Sequence, residues 1–249
     1  MKKRRWFSLF LSFALLLPLF SLTSADAYED FTLDAKAGLL IEADTGEILY
    51  EKNAHQENFP ASLTKVMVAL LVFEAIDEGK IALTDSVTAT ESAFEGLSSD
   101  GSTANIVPGE TMTVEQLLNC MLIVSANEAC NILGETLCGS VDAFVARMNE
   151  RAAELGCEHT HFANATGLHN SQHYTTAWDL YLITREALKH DKFMEICNSK
   201  SYTVPATNMT DKPRELHSTN FLISNWRARG YVYRDAQGIK TGSTPEAGY

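Results

Sequence analysis

Residues 63–76 read Leu-Thr-Lys-Val-Met-Val-Ala-Leu-Leu-Val-Phe-Glu-Ala-Ile, with no glycine or proline, a run long enough for a buried helix. Pro60 stands just upstream and Gly79 just beyond, as start and stop signals should. Ser62 and Lys65 lie three residues apart at the mouth of this run. Residues so spaced share a helix face, with Cβ atoms about 5–6 Å apart, so the lysine amine can reach the serine hydroxyl. Burial disfavours the ammonium form and lowers the lysine pKa. The neutral amine that results can take the serine proton and activate the hydroxyl as a nucleophile. The S-x-x-K spacing also arises by chance at many helix starts, so the rest of the chain has to decide.

The chain opens with Lys2-Lys3-Arg4-Arg5, continues through an apolar stretch over 6–22, and offers Ala25-Asp26-Ala27 before Tyr28. That is the pattern of a secretory signal peptide at residues 1–27. An uncleaved anchor is the alternative, since the run approaches spanning length; Ser8, Ser12 and Pro18 dilute it, and the small-x-small site favours cleavage. Residues 28–249 are then expected to be exported and extracytoplasmic, with enough chain for one sizeable core. The whole chain carries a formal net charge of −12, and its leader is basic, so the remainder is more acidic still. Such a surface argues against nucleic-acid binding and against electrostatic attachment to anionic lipid. The five cysteines, Cys120, Cys130, Cys138, Cys157 and Cys197, are scattered without a C-x-x-C pair, outlining neither a zinc site nor a disulfide scaffold. Most read as small buried apolar residues, although export leaves one or two disulfides open.

Residues 38–43 and 47–50 are strand-like runs around Asp44-Thr45-Gly46, a β-hairpin pattern. The polar, glycine-bearing stretch 95–103 reads as a solvated surface loop, and a loop that borders a cleft is the rarer case. Helical spacing returns at Val114, Leu117, Leu118 and Met121, with Thr113 and Gln116 patterned as a capping box and an end near Val124. Further helices are expected over 128–137 before Gly139, over 141–155 before Gly156, and over 176–188. Residues 200–204 look extended, 205–213 are turn-rich, 225–235 loop-like, and 238–243 strand-like.

Three short motifs stand in order: Ser62-x-x-Lys65, Ser125-Ala126-Asn127 and Lys240-Thr241-Gly242. Together they are far more specific than any one alone, and class A β-lactamases and penicillin-binding proteins share the set, with S-D-N in the middle. Asn53-Ala54, Pro60 to Met67, Gly167-Leu168, His173-Tyr174-Thr175-Thr176-Ala177 and Gly238 to Thr244 extend the likeness. The chain closely resembles the low-molecular-mass penicillin-binding proteins that are serine-type D-alanyl-D-alanine carboxypeptidases, over nearly all of 28–249. The resemblance implies an α/β (α+β) fold of the β-lactamase and penicillin-binding-protein kind, an antiparallel sheet enclosing a helical lobe with the active site between them. It implies that Ser62 attacks the penultimate D-alanine carbonyl of a peptidoglycan stem peptide, with Lys65 as base and Ser125 relaying the proton to the leaving amine. Asn127, Lys240, Thr241, Gly242 and Ser243 would bind substrate, with the oxyanion between the N–H groups of Ser62 and Ser243. No metal or organic cofactor is implied, and β-lactam antibiotics would be acylating inhibitors.

Other readings stay in view. A class A β-lactamase would need a loop glutamate between the second and third motifs, and none stands out. A non-catalytic wall-binding protein acylated by penicillin would keep the motifs without turnover. His159-x-His161 and His169-x-x-x-His173 have metal-ligand types, but no cysteine or carboxylate cluster completes a site. The family's sheet continues past the third motif with two strands that join it to the N-terminal hairpin, then a helix. A carboxylate-binding arginine follows and, in many members, a β-rich domain and a membrane-attaching C-terminal helix. The chain ends at Tyr249 before these, so the expectation is a C-terminally truncated catalytic domain, poorly active or unstable by itself.

Overall fold

A computed structural model describes residues 32–248, and the leader reading over 1–27 lies outside them. The apolar run becomes helix α1, Lys65–Asp77, entered through a 3-10 turn at Ala61–Thr64. Every residue from Lys65 through Phe73 is buried, as a helix apolar all round requires. Each buried Val, Leu, Met or Phe there contributes about 1.5–3 kcal/mol of transfer free energy. The helices α2 (Val114–Ile123), α3 (Asn127–Cys138), α4 (Val141–Glu154) and α5 (Ala177–Ala187) pack around α1. A short α6, Asp191–Cys197, which has no counterpart among the expected elements, packs on α2.

Local signals set most boundaries. The Thr113 hydroxyl accepts from the Gln116 N–H at 3.2 Å and the Gln116 side chain accepts from the Thr113 N–H at 2.9 Å, closing the capping box that starts α2. Helix α3 stops at Gly139, where φ is +81°. Within α3, Gly134 lets α4 come close: a Cβ there would stand 2.6 Å from the Phe144 ring.

Among the described residues, three separate two-stranded antiparallel sheets border the helices. These are β1 (Gly38–Ile41) with β2 (Ile48–Lys52), β3 (Ser86–Thr88) with β4 (Thr111–Thr113), and β5 (Ser201–Val204) with β6 (Arg214–His217). Only the first pair and the extended run at 200–204 match sequence expectations. The strand expected over 238–243 is corrected by the structure, which gives that segment no strand ladder. Side chains take up its backbone groups instead: Asn198 Oδ1 accepts from the Gly238 N–H at 2.6 Å, Asn220 Nδ2 donates to the Gly238 carbonyl, and Lys240 Nζ donates to the Thr241 carbonyl at 2.8 Å. A cavity of about 490 Å³, lined by Leu39, Ile41, Val66, Tyr181 and Ile239 among others, borders both β1 and this segment, and among the described residues β1 pairs with β2 alone.

Candidate active site

The turn that carries Ser62 is held from two sides. Ala61 has φ +48°, a left-handed conformation unusual for a residue with a side chain. Its carbonyl accepts from the Thr64 hydroxyl at 2.8 Å. The Thr64 Oγ1 lies 2.7 Å from His173 Nε2, and His173 Nδ1 accepts from the Ala163 N–H at 3.1 Å. Because Nδ1 accepts, the ring proton sits on Nε2 and is donated to Thr64. On the other side, Gly167 (φ +85°) lies so close that a Cβ would stand 1.9 Å from the Ala61 oxygen.

Burial pushes the His173 pKa down to about 4. In the unfolded chain the ring protonates near 6.5, so unfolding takes up a proton between these values and stability falls as pH drops from 6.5 towards 4, by about 3 kcal/mol in all. Urea midpoints across that window should show this slope, and His173→Gln should flatten it.

Lys65 is fully buried. Its Nζ is 2.8 Å from Asn127 Oδ1, 2.5 Å from the Thr166 carbonyl oxygen and 3.1 Å from Ser62 Oγ. Desolvation lowers its pKa, opposed by Cys130 and Glu128. A neutral amine has two N–H donors and one lone pair. The two oxygens that can only accept, on Asn127 and Thr166, take the donors. The lone pair is left facing the half-buried Ser62 hydroxyl, which is the arrangement of a general base with its nucleophile.

Ser125 occupies the tight turn between α2 and α3 with φ +66°. It is buried, and its hydroxyl has no hydrogen-bond partner among the described residues. A buried polar group left unpaired is costly, and such groups concentrate at functional sites. The 238–243 segment crosses the mouth of the Ser62 turn: a Cβ on Gly242 would lie 3.1 Å from the Ser62 nitrogen and 3.0 Å from the Pro60 oxygen. Thr241 Oγ1 is 2.7 Å from Thr219 Oγ1. Lys240 is half-buried, and burial, reinforced by the Lys65 charge, pushes its pKa down to about 7. Ser243 is exposed just beyond.

The structure thus joins Ser62, Lys65 and Asn127 directly, lays Gly242 on the Ser62 backbone and brings Lys240 within electrostatic reach of Lys65. Sequence reasoning missed the Thr166 carbonyl, Gly167 as a spacer and Thr219. A main-chain acceptor has no side-chain signature, although Asn164, which accepts from the N–H groups of Thr166 and Gly167 at 3.1 and 2.8 Å, marks the turn that presents it. The other histidines make separate contacts, His159 with Glu57 at 3.4 Å and His161 with the Gln172 carbonyl. Among the described residues no group of three or more potential metal-ligating side chains gathers. All five cysteines are free thiols.

A helical body around a lysine-bearing central helix, edged by small antiparallel sheets, is the penicillin-binding, active-serine fold. The crystal structure of the Streptomyces K15 DD-transpeptidase matches it with a TM-score of 0.79 at 30% identity, covering 89% of this chain and 85% of that one. The family model described as D-alanyl-D-alanine carboxypeptidase matches residues 23–249, and the chain belongs to that family. It is 40% identical over 216 residues to the D-alanyl-D-alanine carboxypeptidase DacF of Bacillus subtilis (strain 168), covering 87% of this chain and 52% of DacF. It is 33% identical over 223 residues to DacC of Escherichia coli (strain K12), covering 88% of this chain and 52% of that protein. The chain spans about half the length of these curated relatives.

Proposed function

We propose that this chain carries the serine D-alanyl-D-alanine carboxypeptidase activity of its family, acting outside the cytoplasm on peptidoglycan stem peptides. The observation that carries the reading is the fully buried Lys65 amine 3.1 Å from Ser62 Oγ, with its other two neighbours both acceptors. Ser62 Oγ bonds to the penultimate D-alanine carbonyl carbon while Lys65 takes the hydroxyl proton. The tetrahedral oxyanion lies between the N–H groups of Ser62 and Ser243, and losing one such donor typically costs about 10²–10³ in rate. The unpartnered Ser125 hydroxyl then passes the proton to the leaving nitrogen, the C–N bond breaks, and free D-alanine departs. Water hydrolyses the Ser62 ester with Lys65 again as base. Lys240 and Thr241 hold the substrate carboxylate, and Asn127 fixes both Lys65 and the peptide backbone. β-Lactams acylate the same serine. The basic, apolar leader at 1–27 supports export.

The test is labelling with a fluorescent penicillin, together with D-alanine release from a peptide ending in D-alanyl-D-alanine. The expected result is labelling and release by the native protein and neither by Ser62→Ala. Equal labelling of both proteins would overturn the assignment of Ser62, and stoichiometric labelling without D-alanine release would favour a non-hydrolytic binder.

A further inference from the structure

Glu128 has no part in the chemistry above, yet it is 3% exposed and ionisable, one residue after Asn127 in the first turn of α3. Buried carboxylates persist only where donors surround them. Glu128 Oε1 accepts from the Thr103 hydroxyl at 2.7 Å, from the Ala104 N–H at 2.7 Å and from the Ile106 N–H at 3.3 Å. All three donors belong to the glycine-bearing stretch whose first part the sequence reads as a solvated loop. That loop closes on the site: the Ser102 carbonyl accepts from the Asn127 N–H at 2.9 Å, and a Cβ on Gly101 would stand 2.7 Å from Asn127 Nδ2. Asn127 Oδ1 in turn accepts from Lys65.

We propose that Glu128 is a positioning residue whose buried carboxylate holds the 101–106 segment down on Asn127, and so sets the amide that orients Lys65 towards Ser62. With the segment in place, Gly101 covers the nitrogen end of the Asn127 amide and its oxygen is kept on Lys65. Without it, the amide is free to rotate and Lys65 loses one of the two acceptors that direct its lone pair. The carboxylate also acts through space. The charged or titratable groups facing Lys65 are Glu128 and Cys130 from α3, Lys240 from the 238–243 segment and His173 from the opposite side. Glu128 favours the ammonium form and Lys240 opposes it, so Glu128 has separable geometric and electrostatic effects on one amine.

The inference rests on the reading of Lys65 as base, but amide exchange reports the loop whether or not that reading holds. Glu128→Gln keeps an oxygen that can accept from the loop and removes the charge; Glu128→Ala removes both. In the full chain, Glu128→Ala should speed exchange at Ala104 and Ile106 at least about tenfold and slow penicillin acylation of Ser62 by about 10²-fold, as loss of a well-placed catalytic amine does. Glu128→Gln should keep both amides protected and move the acid limb of the acylation profile down by about half a pH unit, since the amine then loses its proton more readily. If Glu128→Ala fails to fold, Thr103→Val removes one of the three donors from an exposed position, leaves the two backbone donors in place, and should slow acylation about threefold with only a small fall in Tm. Wild-type acylation in Glu128→Ala or Thr103→Val overturns the proposal, as does equal loss in Glu128→Gln and Glu128→Ala. Faster exchange at Ala104 and Ile106 with no acylation even in the native protein would leave the loop contact standing and remove the assignment of Lys65 instead.

Discussion

Lys65→Arg is expected to slow acylation of Ser62 by about 10³-fold, within the 10²–10⁴ range that a positioned general base supplies. Arginine still donates to the Asn127 amide oxygen and the Thr166 carbonyl, which lie 2.8 and 2.5 Å from the native amine. Beside Ser62 it presents a further N–H donor where the native amine has its lone pair. What it lacks is a lone pair, because a guanidinium does not deprotonate in a protein. The substitution therefore separates the hydrogen-bond donors at this position from its basicity. Single-turnover acylation by a penicillin, followed across pH, is the measurement. The native protein should gain rate as pH rises through the lowered Lys65 pKa, since the neutral form is the active one, and the variant should show a low rate without that rise. A Lys65→Arg protein that acylates within tenfold of native would show that the proton leaves Ser62 by another route.

Gly167→Ala is expected to cost about 3 kcal/mol of stability, combining overpacking of a tight contact with the strain of a side chain at positive φ. It should also abolish most acylation. The reason is the 1.9 Å that would separate the new methyl from the Ala61 carbonyl oxygen. That atom is backbone and cannot swing aside, so the Ala61–Ser62 peptide has to move, and the nucleophile moves with it. Gly139→Ala is the matched control: φ is +81° there and nothing lies within 4 Å of the added carbon. Only backbone strain remains, about 1 kcal/mol, with acylation unchanged. Urea unfolding of the two variants measures the difference. Equal destabilisation of both would show that the 166–168 turn yields more readily than its packing implies.

Much of this arrangement was legible in advance where the signal is local. The i, i+3 spacing of Ser62 and Lys65, the Thr113 and Gln116 capping box, and Gly139 and Gly156 as helix stops each involve atoms within a turn or two of one another. Expectation and structure diverge where partners are distant. Strands β3, β4 and β6 are three or four residues long, too short for alternation to announce them, and each depends on a partner strand to exist. The 238–243 segment has strand-like composition, but its backbone is satisfied by Asn198 and Asn220 rather than by a ladder. The stretch at 95–103 has the polarity of a solvated loop, and only its contacts with the distant Asn127 and Glu128 reveal that it is pinned.

The order and identity of the three motifs, the apolar helix that carries the first of them and the family they point to were determined by the sequence alone. The working state of the site was decided by the tertiary structure. Asn127 and Thr166, which take the two donors of Lys65, lie 62 and 101 residues from it along the chain. Whether an amine is charged depends on the volume that surrounds it and on the acceptors within 3 Å. Neither is a property of its neighbours in the chain, so the same Ser-x-x-Lys on an exposed helix would be a solvated ammonium beside an unreactive alcohol.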